Sequence, residues 1–376
     1  MKLILHIGHP KTGTTSLQGF FVQQRVALLR LGILYPWTVH GRDYHTLLPA
    51  GFVRDGAVEP SPHGVYFDDY AAFKAGFRIF WRQLKNDIAR YKPQVVILSA
   101  EQLFKDFEPL SGRSFADLLG EISADVEVVA YIRHPVEDAK SRVAQRIKRG
   151  RLIPTLHRPI RAALEYYESL YPGRVRPNVF DPEALHNGDI VEDFVSKYLP
   201  QAAPLLGIPR PRKNESLPAA LLFVLEQIRQ QYQANAVDRA SAESFLQIQA
   251  ANKAFHQLGL HKEFNQKLEL RSDLSAYVLR HAGDFLWLKE QYGLRFPRLD
   301  YAAIQQSAPS DGKVWTLSEV AEKPALDFAS IRRQIEKKRT RSQLFLHAHH
   351  SLQRFAIRLR EALLRRKQQG MLNRAA

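Results

Sequence analysis

The chain contains no cysteine. That absence excludes disulfide bonds, thiolate metal sites and cysteine nucleophiles, and it argues against a small secreted module held together by disulfides. Long apolar runs are also missing, because no stretch of about 20 residues is free of charge, which is the length a membrane-spanning helix requires. The apolar run Leu3–Ile7 is too short for the core of a signal peptide. The expected location is therefore the cytoplasm.

Positive charge is in excess and is unevenly distributed. The chain of 376 residues carries a formal charge of +16, and residues 331–376 hold 13 Lys and Arg against 2 Glu. This concentration predicts a division into a main domain, residues 1–305, and a linker with a basic amphipathic helical tail, residues 306–376. Three interpretations of the tail stay open: a helix docked on the main domain, a helix on an anionic membrane surface, which would make the protein peripheral to the membrane, or a collector of a polyanionic acceptor. Nucleic acid is not expected as a partner, since no recognition motif or stacking platform accompanies the charge.

The first 200 residues alternate between apolar runs and amphipathic helical patterns. Buried strands are predicted over residues 3–7, 95–98, 126–132 and 174–180, and helices over residues 14–31, 66–91, 135–149 and from Asp189, which is a candidate N-cap. Residues 216–296 read as mostly helical. Alternation of this kind is typical of a central parallel sheet covered by helices. We therefore predict an α/β fold with a helical C-terminal half.

The segment between the first strand and the first helix has the composition of a phosphate-binding loop. It reads Gly8-His9-Pro10-Lys11-Thr12-Gly13-Thr14-Thr15-Ser16. Main-chain N–H groups and the helix dipole favour an anion there, the glycines permit close approach, and lysine and hydroxyl side chains add donors. The order differs from the Walker A pattern G-x-x-x-x-G-K-S/T, because Lys11 precedes the second glycine. Hydrolysis of ATP or GTP is therefore disfavoured.

A second candidate anion site follows the strand 126–132. Arg133 closes that strand and Ser141 lies eight residues later on the predicted helix. An arginine fork matches phosphate geometry, and a serine two turns into the helix could add a hydroxyl donor.

The two segments together resemble the donor site of sulfotransferases that use 3′-phosphoadenosine 5′-phosphosulfate (PAPS), in a bacterial, carbohydrate-sulfotransferase-like branch. Further similarity is found up to about residue 300, in Gly32–Pro36, Ser99–Glu101, Gly188–Phe194 and Asn214–Leu217. The resemblance implies a P-loop-like three-layer fold with PAPS at the carboxyl ends of the strands and no metal. It implies that the 5′-phosphosulfate is held by the loop, and the 3′-phosphate by Arg133 and Ser141. The loop residues concerned are Pro10, Lys11, Thr12, Gly13, Thr14, Thr15 and Ser16.

Sulfuryl transfer to a hydroxyl requires a group that removes the hydroxyl proton. Glu101, directly after the strand 95–98, is the first candidate for this base, although a glutamate there could equally serve in an ion pair or cap. His45 is the second, because imidazole titrates near neutral pH. It falls in residues 40–64, a segment rich in Gly, Pro, His and Asp that we expect to be an exposed loop. Lys11 is the candidate for neutralising the leaving oxygen.

The sequence identifies the acceptor less clearly than it identifies the donor. A saccharide, glycolipid or lipid-linked hydroxyl is favoured over a small phenol. Five aromatic residues could offer a surface for a sugar ring, although aromatic residues at these spacings more often belong to the core: Phe67, Tyr70, Tyr166, Tyr167 and Tyr171. Two other functions stay open: a P-loop kinase acting on a small molecule, and a non-catalytic anion-binding protein brought to membranes by the tail.

Overall fold

The structure, a computed structural model, describes residues 1–38, 45, 47–48, 70–104, 115–153, 156, 159–207, 216–231, 242–305 and 314–338. Residues 306–313 and 339–376 of the predicted linker and tail lie outside this part of the chain, as do Phe67 and the side chain of Tyr70. The predictions made for them stay predictions.

The described residues form five strands and the thirteen α-helices named below, and residues 328–338 are helical as well. The strands are β1 (Lys2–Gly8), β2 (Ile33–Leu34), β3 (Val95–Ser99), β4 (Asp125–Arg133) and β5 (Val175–Phe180). The helices of the first 200 residues are α1 (Thr14–Gln23), α2 (Arg25–Arg30), α3 (Tyr70–Tyr91), α4 (Phe115–Gly120), α5 (Pro135–Lys148), α6 (Arg161–Leu170) and α7 (Ile190–Tyr198). The later ones are α8 (Ala219–Gln231), α9 (Ala242–Gln257), α10 (Leu260–Glu263), α11 (Ser272–Arg280), α12 (Gly283–Tyr292) and α13 (Leu317–Val320).

The five strands form one parallel sheet in the order β2-β3-β1-β4-β5. Leu3 of the central strand β1 lies opposite Val96 of β3 on one side and Val126 of β4 on the other. Parallel strands are buried on both faces, which explains why they read as unbroken apolar runs in the sequence. The carboxyl ends of β1, β3 and β4 therefore reach the same edge of the sheet.

Helices cover both faces of the sheet. One apolar cluster packs side chains of α3, α4, α6 and α12 against one face, and a second packs α1, α2 and α7 against the other. The predicted three-layer, P-loop-like α/β fold with a central parallel sheet is confirmed, and the described parts of residues 216–296 are mostly helical, as expected. Asp189 caps α7 as expected, its carboxylate accepting hydrogen bonds from the N–H groups of Val191 and Glu192.

The chain divides into two compact units whose ranges alternate along the sequence, and the predicted boundary at residue 305 stays a prediction. The first comprises residues 1–141, 157–215 and 272–311, and contains the whole sheet. The second comprises residues 142–156, 216–271 and 312–376. Its described part includes α8, where Glu226 and Arg229 form a buried ion pair with two contacts of 2.7 and 2.8 Å. Nearby sequence segments thus belong to different units, a feature that composition does not reveal.

Candidate functional site

Three residues of the loop between β1 and α1 have positive φ angles. Gly8, Lys11 and Gly13 have φ angles of 78°, 69° and 74°. Glycine adopts this conformation without strain, but lysine does so rarely, so the backbone at Lys11 is held in a costly geometry. Such strain is common where a loop is shaped around a ligand. The Lys11 side chain is exposed at the tip of the loop.

Helix α1 presents an uncapped N-terminus to this loop. Gly13 is its N-cap and no side chain caps it. The N–H groups of Ser16 and Leu17 both donate to the Gly13 carbonyl, at 2.9 and 3.1 Å, which leaves the N–H groups at the very start of the helix for another acceptor. The arrangement supplies what an anion requires.

Thr14 adds a buried hydroxyl at the same point. Its side chain is 4% exposed, and its Oγ1 has no hydrogen-bond partner among the described residues. A buried hydroxyl without a partner is costly, and a bound phosphate or sulfuryl oxygen would satisfy it. Thr12 behaves differently, since its buried hydroxyl donates to the His9 carbonyl at 2.5 Å and closes the loop internally. Thr15 is exposed, Ser16 is half-buried and Pro10 is buried.

Arg133 connects the second candidate anion site to the loop. Its Nη1 donates to the main-chain carbonyl of Lys11 across 3.4 Å, and its Nη2 lies 3.5 Å from Glu137. Ser141 lies half-buried on α5, the helix that starts directly after Arg133 and His134. The structure thus brings Arg133 and Lys11 together, although 122 residues separate them in sequence.

Charged neighbours surround the start of α5. Burial opposes ionisation of Glu137, but Lys140, which hydrogen-bonds to it, and Arg133 outweigh that effect and hold the pKa of Glu137 below its ordinary value. Burial lowers the pKa of His134, while Glu137 and Asp181 oppose the shift. His134 is therefore largely neutral near pH 7.

Glu101 lies against the start of the loop. A Cβ added to Gly8 would stand 3.4 Å from the Glu101 Cα and 3.5 Å from its Cγ. Glu101 is half-buried and begins a short 3-10 turn, Glu101–Phe104, at the carboxyl end of β3. The predicted candidate for the base therefore adjoins the predicted phosphate loop, at the sheet edge where both were expected.

His45 is placed differently from the expectation. It is fully buried, and Leu47 and Leu48 are buried as well, so these residues are not part of an exposed loop. Its Nδ1 accepts from the Ser99 N–H at 2.9 Å, and its Nε2 lies 3.3 Å from the Pro36 carbonyl. Burial, partly opposed by these main-chain hydrogen bonds, lowers the pKa of His45 to about 4. Because both ring nitrogens are occupied inside the protein, His45 lacks the access to substrate that a base needs.

Three contacts at the site carry no signal in the sequence. His9, fully buried in the loop, has its Nδ1 3.8 Å from Asp138 of α5. Gly13 packs against Phe180 and Ile190, where a Cβ would meet their side chains at 3.1 and 3.0 Å. These contacts join the loop to β5, α5 and α7, and they depend on long-range packing.

A third cation lies near the start of α5. Arg298 has a φ of 59° and binds Asp181, which follows β5, at 2.8 Å. Its main chain hydrogen-bonds to His134. No spacing rule places Arg298 beside a segment 164 residues earlier, so sequence reasoning had no means of finding it.

The aromatic residues considered for a sugar surface differ in burial where the structure describes their side chains. Tyr167 is fully buried, with its hydroxyl donating to the Leu103 carbonyl at 2.9 Å. Tyr166 and Tyr171 pack partly buried against the same apolar cluster. The core interpretation of Tyr167 is therefore the correct one.

The chain shows limited similarity to known proteins. No protein-family model and no curated protein matches the chain. Two solved structures are similar to it. A sulfotransferase domain from the curacin biosynthetic pathway shares 16% identity with a TM-score of 0.28, covering 56% of this chain and 75% of its own. A sulfotransferase from Alicyclobacillus acidocaldarius shares 14% identity with a TM-score of 0.33, covering 65% of this chain and 98% of its own.

Proposed function

We propose that this protein is a sulfotransferase that moves a sulfuryl group from PAPS to a hydroxyl of a saccharide, glycolipid or similar acceptor. The observation that carries the proposal is the contact between Arg133 and the Lys11 carbonyl, because it unites two anion-binding segments at one sheet edge. A donor with a 5′-phosphosulfate and a 3′-phosphate needs two such segments close together. A simple phosphate site would need only the loop.

The loop residues suit the phosphosulfate end of the donor. The uncapped N-terminus of α1 and the buried Thr14 hydroxyl offer donors to phosphate and sulfuryl oxygens. Gly8 and Gly13 allow the positive φ angles that shape the loop. Arg133 and Ser141, at the end of β4 and on α5, would hold the 3′-phosphate.

The transfer itself is a displacement at sulfur. The acceptor oxygen forms a bond to sulfur while the bond from sulfur to the bridging oxygen of the donor breaks, and adenosine 3′,5′-bisphosphate leaves. Negative charge grows on that bridging oxygen, and the Lys11 ammonium neutralises it. The acceptor proton passes to a Glu101 carboxylate oxygen. Glu101 is the better placed of the two predicted bases because it is accessible and adjoins the loop, whereas His45 is enclosed.

Turnover of PAPS in the presence of EDTA tests the proposal. We expect release of adenosine 3′,5′-bisphosphate with a panel of saccharides and glycolipids, and at least a hundredfold loss in Lys11→Ala, in line with the roughly 10²–10³-fold effects of removing one charge-stabilising donor. Lys92→Ala is a matched control: Lys92 is also an exposed lysine with positive φ, but it lies ahead of β3, at the opposite edge of the sheet. Magnesium-dependent transfer from ATP would instead make the protein a kinase.

Glu101→Gln separates the base from the donor site. We expect its turnover to fall by about 10²–10⁴-fold, the range for loss of a general base, with unchanged affinity for adenosine 3′,5′-bisphosphate. Equal turnover in Glu101→Gln and the parent protein would assign proton removal to another group.

A further inference from the structure

An exposed tryptophan stands at the same edge of the sheet as the proposed site. Trp37 follows β2 by three residues and is 62% exposed. The guanidinium of Arg25 lies 3.8 Å from the centre of the indole ring, so one face of the ring is covered and the other faces solvent. Large aromatic surface is normally buried, which makes an ordered, exposed indole a candidate contact for a ligand.

Arg25 holds Trp37 in a fixed orientation. Arg25 is buried, its Nε donates to the Tyr35 carbonyl at 3.0 Å, and its guanidinium also lies over the Tyr35 ring at 5.4 Å. A planar guanidinium stacked on an indole restricts rotation of the ring. The exposed face of Trp37 is thus preorganised, which lowers the entropy lost when a ligand binds to it.

Trp37 is also tied to the segment that carries Glu101. The carbonyl of Pro36 contacts the Nε2 of His45, and the Nδ1 of His45 accepts from the N–H of Ser99, two residues before Glu101. His45 therefore acts as a buried brace between the ends of β2 and β3. This brace fixes the distance between the exposed indole and the candidate base.

The strand order sets the length of an acceptor that reaches all these groups. β3 lies between β2 and β1, so Trp37, Glu101 and the loop after β1 follow three neighbouring strands. Two strand spacings amount to about 10 Å. That span, from the end of β2 to the loop after β1, exceeds one sugar or phenol ring. Two linked rings would fill it, with one stacked on Trp37 and the next presenting its hydroxyl between the loop and Glu101, which follows the intervening strand β3.

We propose that Trp37, braced by Arg25, is an acceptor subsite that stacks the apolar face of a sugar ring one position away from the sulfated residue. The acceptor is then an oligosaccharide of two or more rings. This inference rests on the proposed function, because the sulfated hydroxyl is defined by Glu101 and the loop. A pyranose ring supplies both the flat C–H face that would stack on Trp37 and the hydroxyl group that would be presented to Glu101.

Saturation-transfer NMR with defined probes tests the subsite. The probes are cellotetraose, chitotetraose, a tetrasaccharide of alternating uronic acid and hexosamine, and the single-ring 4-nitrophenol, each with adenosine 3′,5′-bisphosphate present. We expect at least one tetrasaccharide to receive saturation at its ring C–H protons. Trp37→Ala should weaken its binding about tenfold or more, and Trp37→Phe should retain most of it.

Tyr91→Ala is the matched control for an exposed aromatic. Tyr91 also has an arginine over its ring, Arg90 at 5.3 Å, but it precedes β3 and so lies at the opposite edge of the sheet. Its variant should bind the tetrasaccharide like the parent protein. Failure of every tetrasaccharide to bind, persistence of binding in Trp37→Ala, or a preference for 4-nitrophenol would each overturn the subsite.

Donor affinity separates this inference from the function on which it rests. Calorimetry should give the same affinity for adenosine 3′,5′-bisphosphate in Trp37→Ala as in the parent protein, while KM for the acceptor rises. A loss of nucleotide affinity in Trp37→Ala would assign the indole to the donor and refute the subsite. A parent protein that binds tetrasaccharide through Trp37 but never the nucleotide would refute the sulfotransferase proposal alone.

Discussion

The Nη1 of Arg133 lies 3.4 Å from the carbonyl oxygen of Lys11, and this contact joins the end of β4 to the loop that follows β1. One guanidinium can therefore organise the loop and bind a phosphate. We expect Arg133→Ala to weaken binding of adenosine 3′,5′-bisphosphate by about 10- to 100-fold, since a charge-assisted hydrogen bond contributes about 1.5–3 kcal/mol.

Arg133→Lys should recover only part of this loss, because an ammonium keeps the charge but not the planar fork. Arg174→Ala is the control, as Arg174 pairs with Asp125 at the start of β4, away from the loop. Calorimetric titration of the three variants measures the effect. Equal affinities in Arg133→Ala and Arg174→Ala would contradict a phosphate-binding role.

The loop glycine Gly13 should not tolerate a side chain. Gly13→Ala adds a Cβ at 3.0 Å from Ile190 and 3.1 Å from Phe180 in a backbone with φ of 74°. Gly173→Ala imposes a similar φ of 70° with no atom within 4 Å, so it measures backbone strain alone. We expect Gly173→Ala to lower the free energy of unfolding by about 1–2 kcal/mol and Gly13→Ala by more. Urea denaturation compares them, and equal losses would show that packing at Gly13 is unimportant.

Ser99 holds a buried polar network beneath the site. Its Oγ lies 2.9 Å from the Nδ1 of His6 and accepts from the Nε2 of Gln18 at 3.0 Å, which links β1, β3 and α1. Ser99→Ala removes the shared partner of two buried groups and should destabilise the fold by roughly 1–3 kcal/mol per group left without one.

Ser169→Ala is the control for the serine network, because the Ser169 hydroxyl donates to the Tyr166 carbonyl at an exposed position. Loss of this exposed hydrogen bond should lower the free energy of unfolding only slightly. Thermal unfolding monitored by circular dichroism compares the two variants. Similar melting temperatures would mean that the Ser99 network does not support the fold.

Acid should destabilise the protein through its buried histidines. Burial lowers the pKa of His6 to about 3 and, as its main cause, that of His45 to about 4, from an ordinary 6.5. Below pH 6.5 the unfolded chain binds protons at these histidines that the folded chain rejects, so stability is full above pH 6.5 and declines as the pH falls toward 4.

Between pH 7.5 and 5.5 each of the two histidines should remove about 1.4 kcal/mol of stability. Urea midpoints at pH 7.5 and 5.5 measure the decline, and His45→Gln, which cannot titrate, should show a smaller difference between the two pH values than the parent protein. A pH-independent midpoint would mean that these histidines titrate normally.

Local pattern was sufficient to predict the sheet and the loop. Apolar runs bounded by turns identified four of the five strands, and Asp189 marked the start of α7. The two-residue strand β2 was missed because it is too short to produce a pattern. The predicted helix over residues 14–31 is broken at Gln24, where φ and ψ are −97° and 8° and no glycine or proline signals the break.

Long-range packing decided what the sequence could not indicate. His45 lies in a segment with a loop-like composition, yet Ser99 and Pro36 bind both of its ring nitrogens inside the protein. No sequence motif identifies Trp37, because its proposed role depends on the stacking of Arg25 on one face of the indole ring. Candidate donor residues could be named from the sequence because a phosphate site needs particular residue types, whereas an acceptor surface is defined mainly by shape.

The most direct measurement of the central claim is calorimetric titration of the unaltered protein, in EDTA, with adenosine 3′,5′-bisphosphate, adenosine 5′-phosphate and ATP. The account predicts that adenosine 3′,5′-bisphosphate binds at least tenfold more tightly than adenosine 5′-phosphate, because the contacts proposed for Arg133 and Ser141 require the 3′-phosphate. Equal affinity for the two nucleotides, or a preference for ATP once magnesium is restored, would contradict a sulfuryl-donor site.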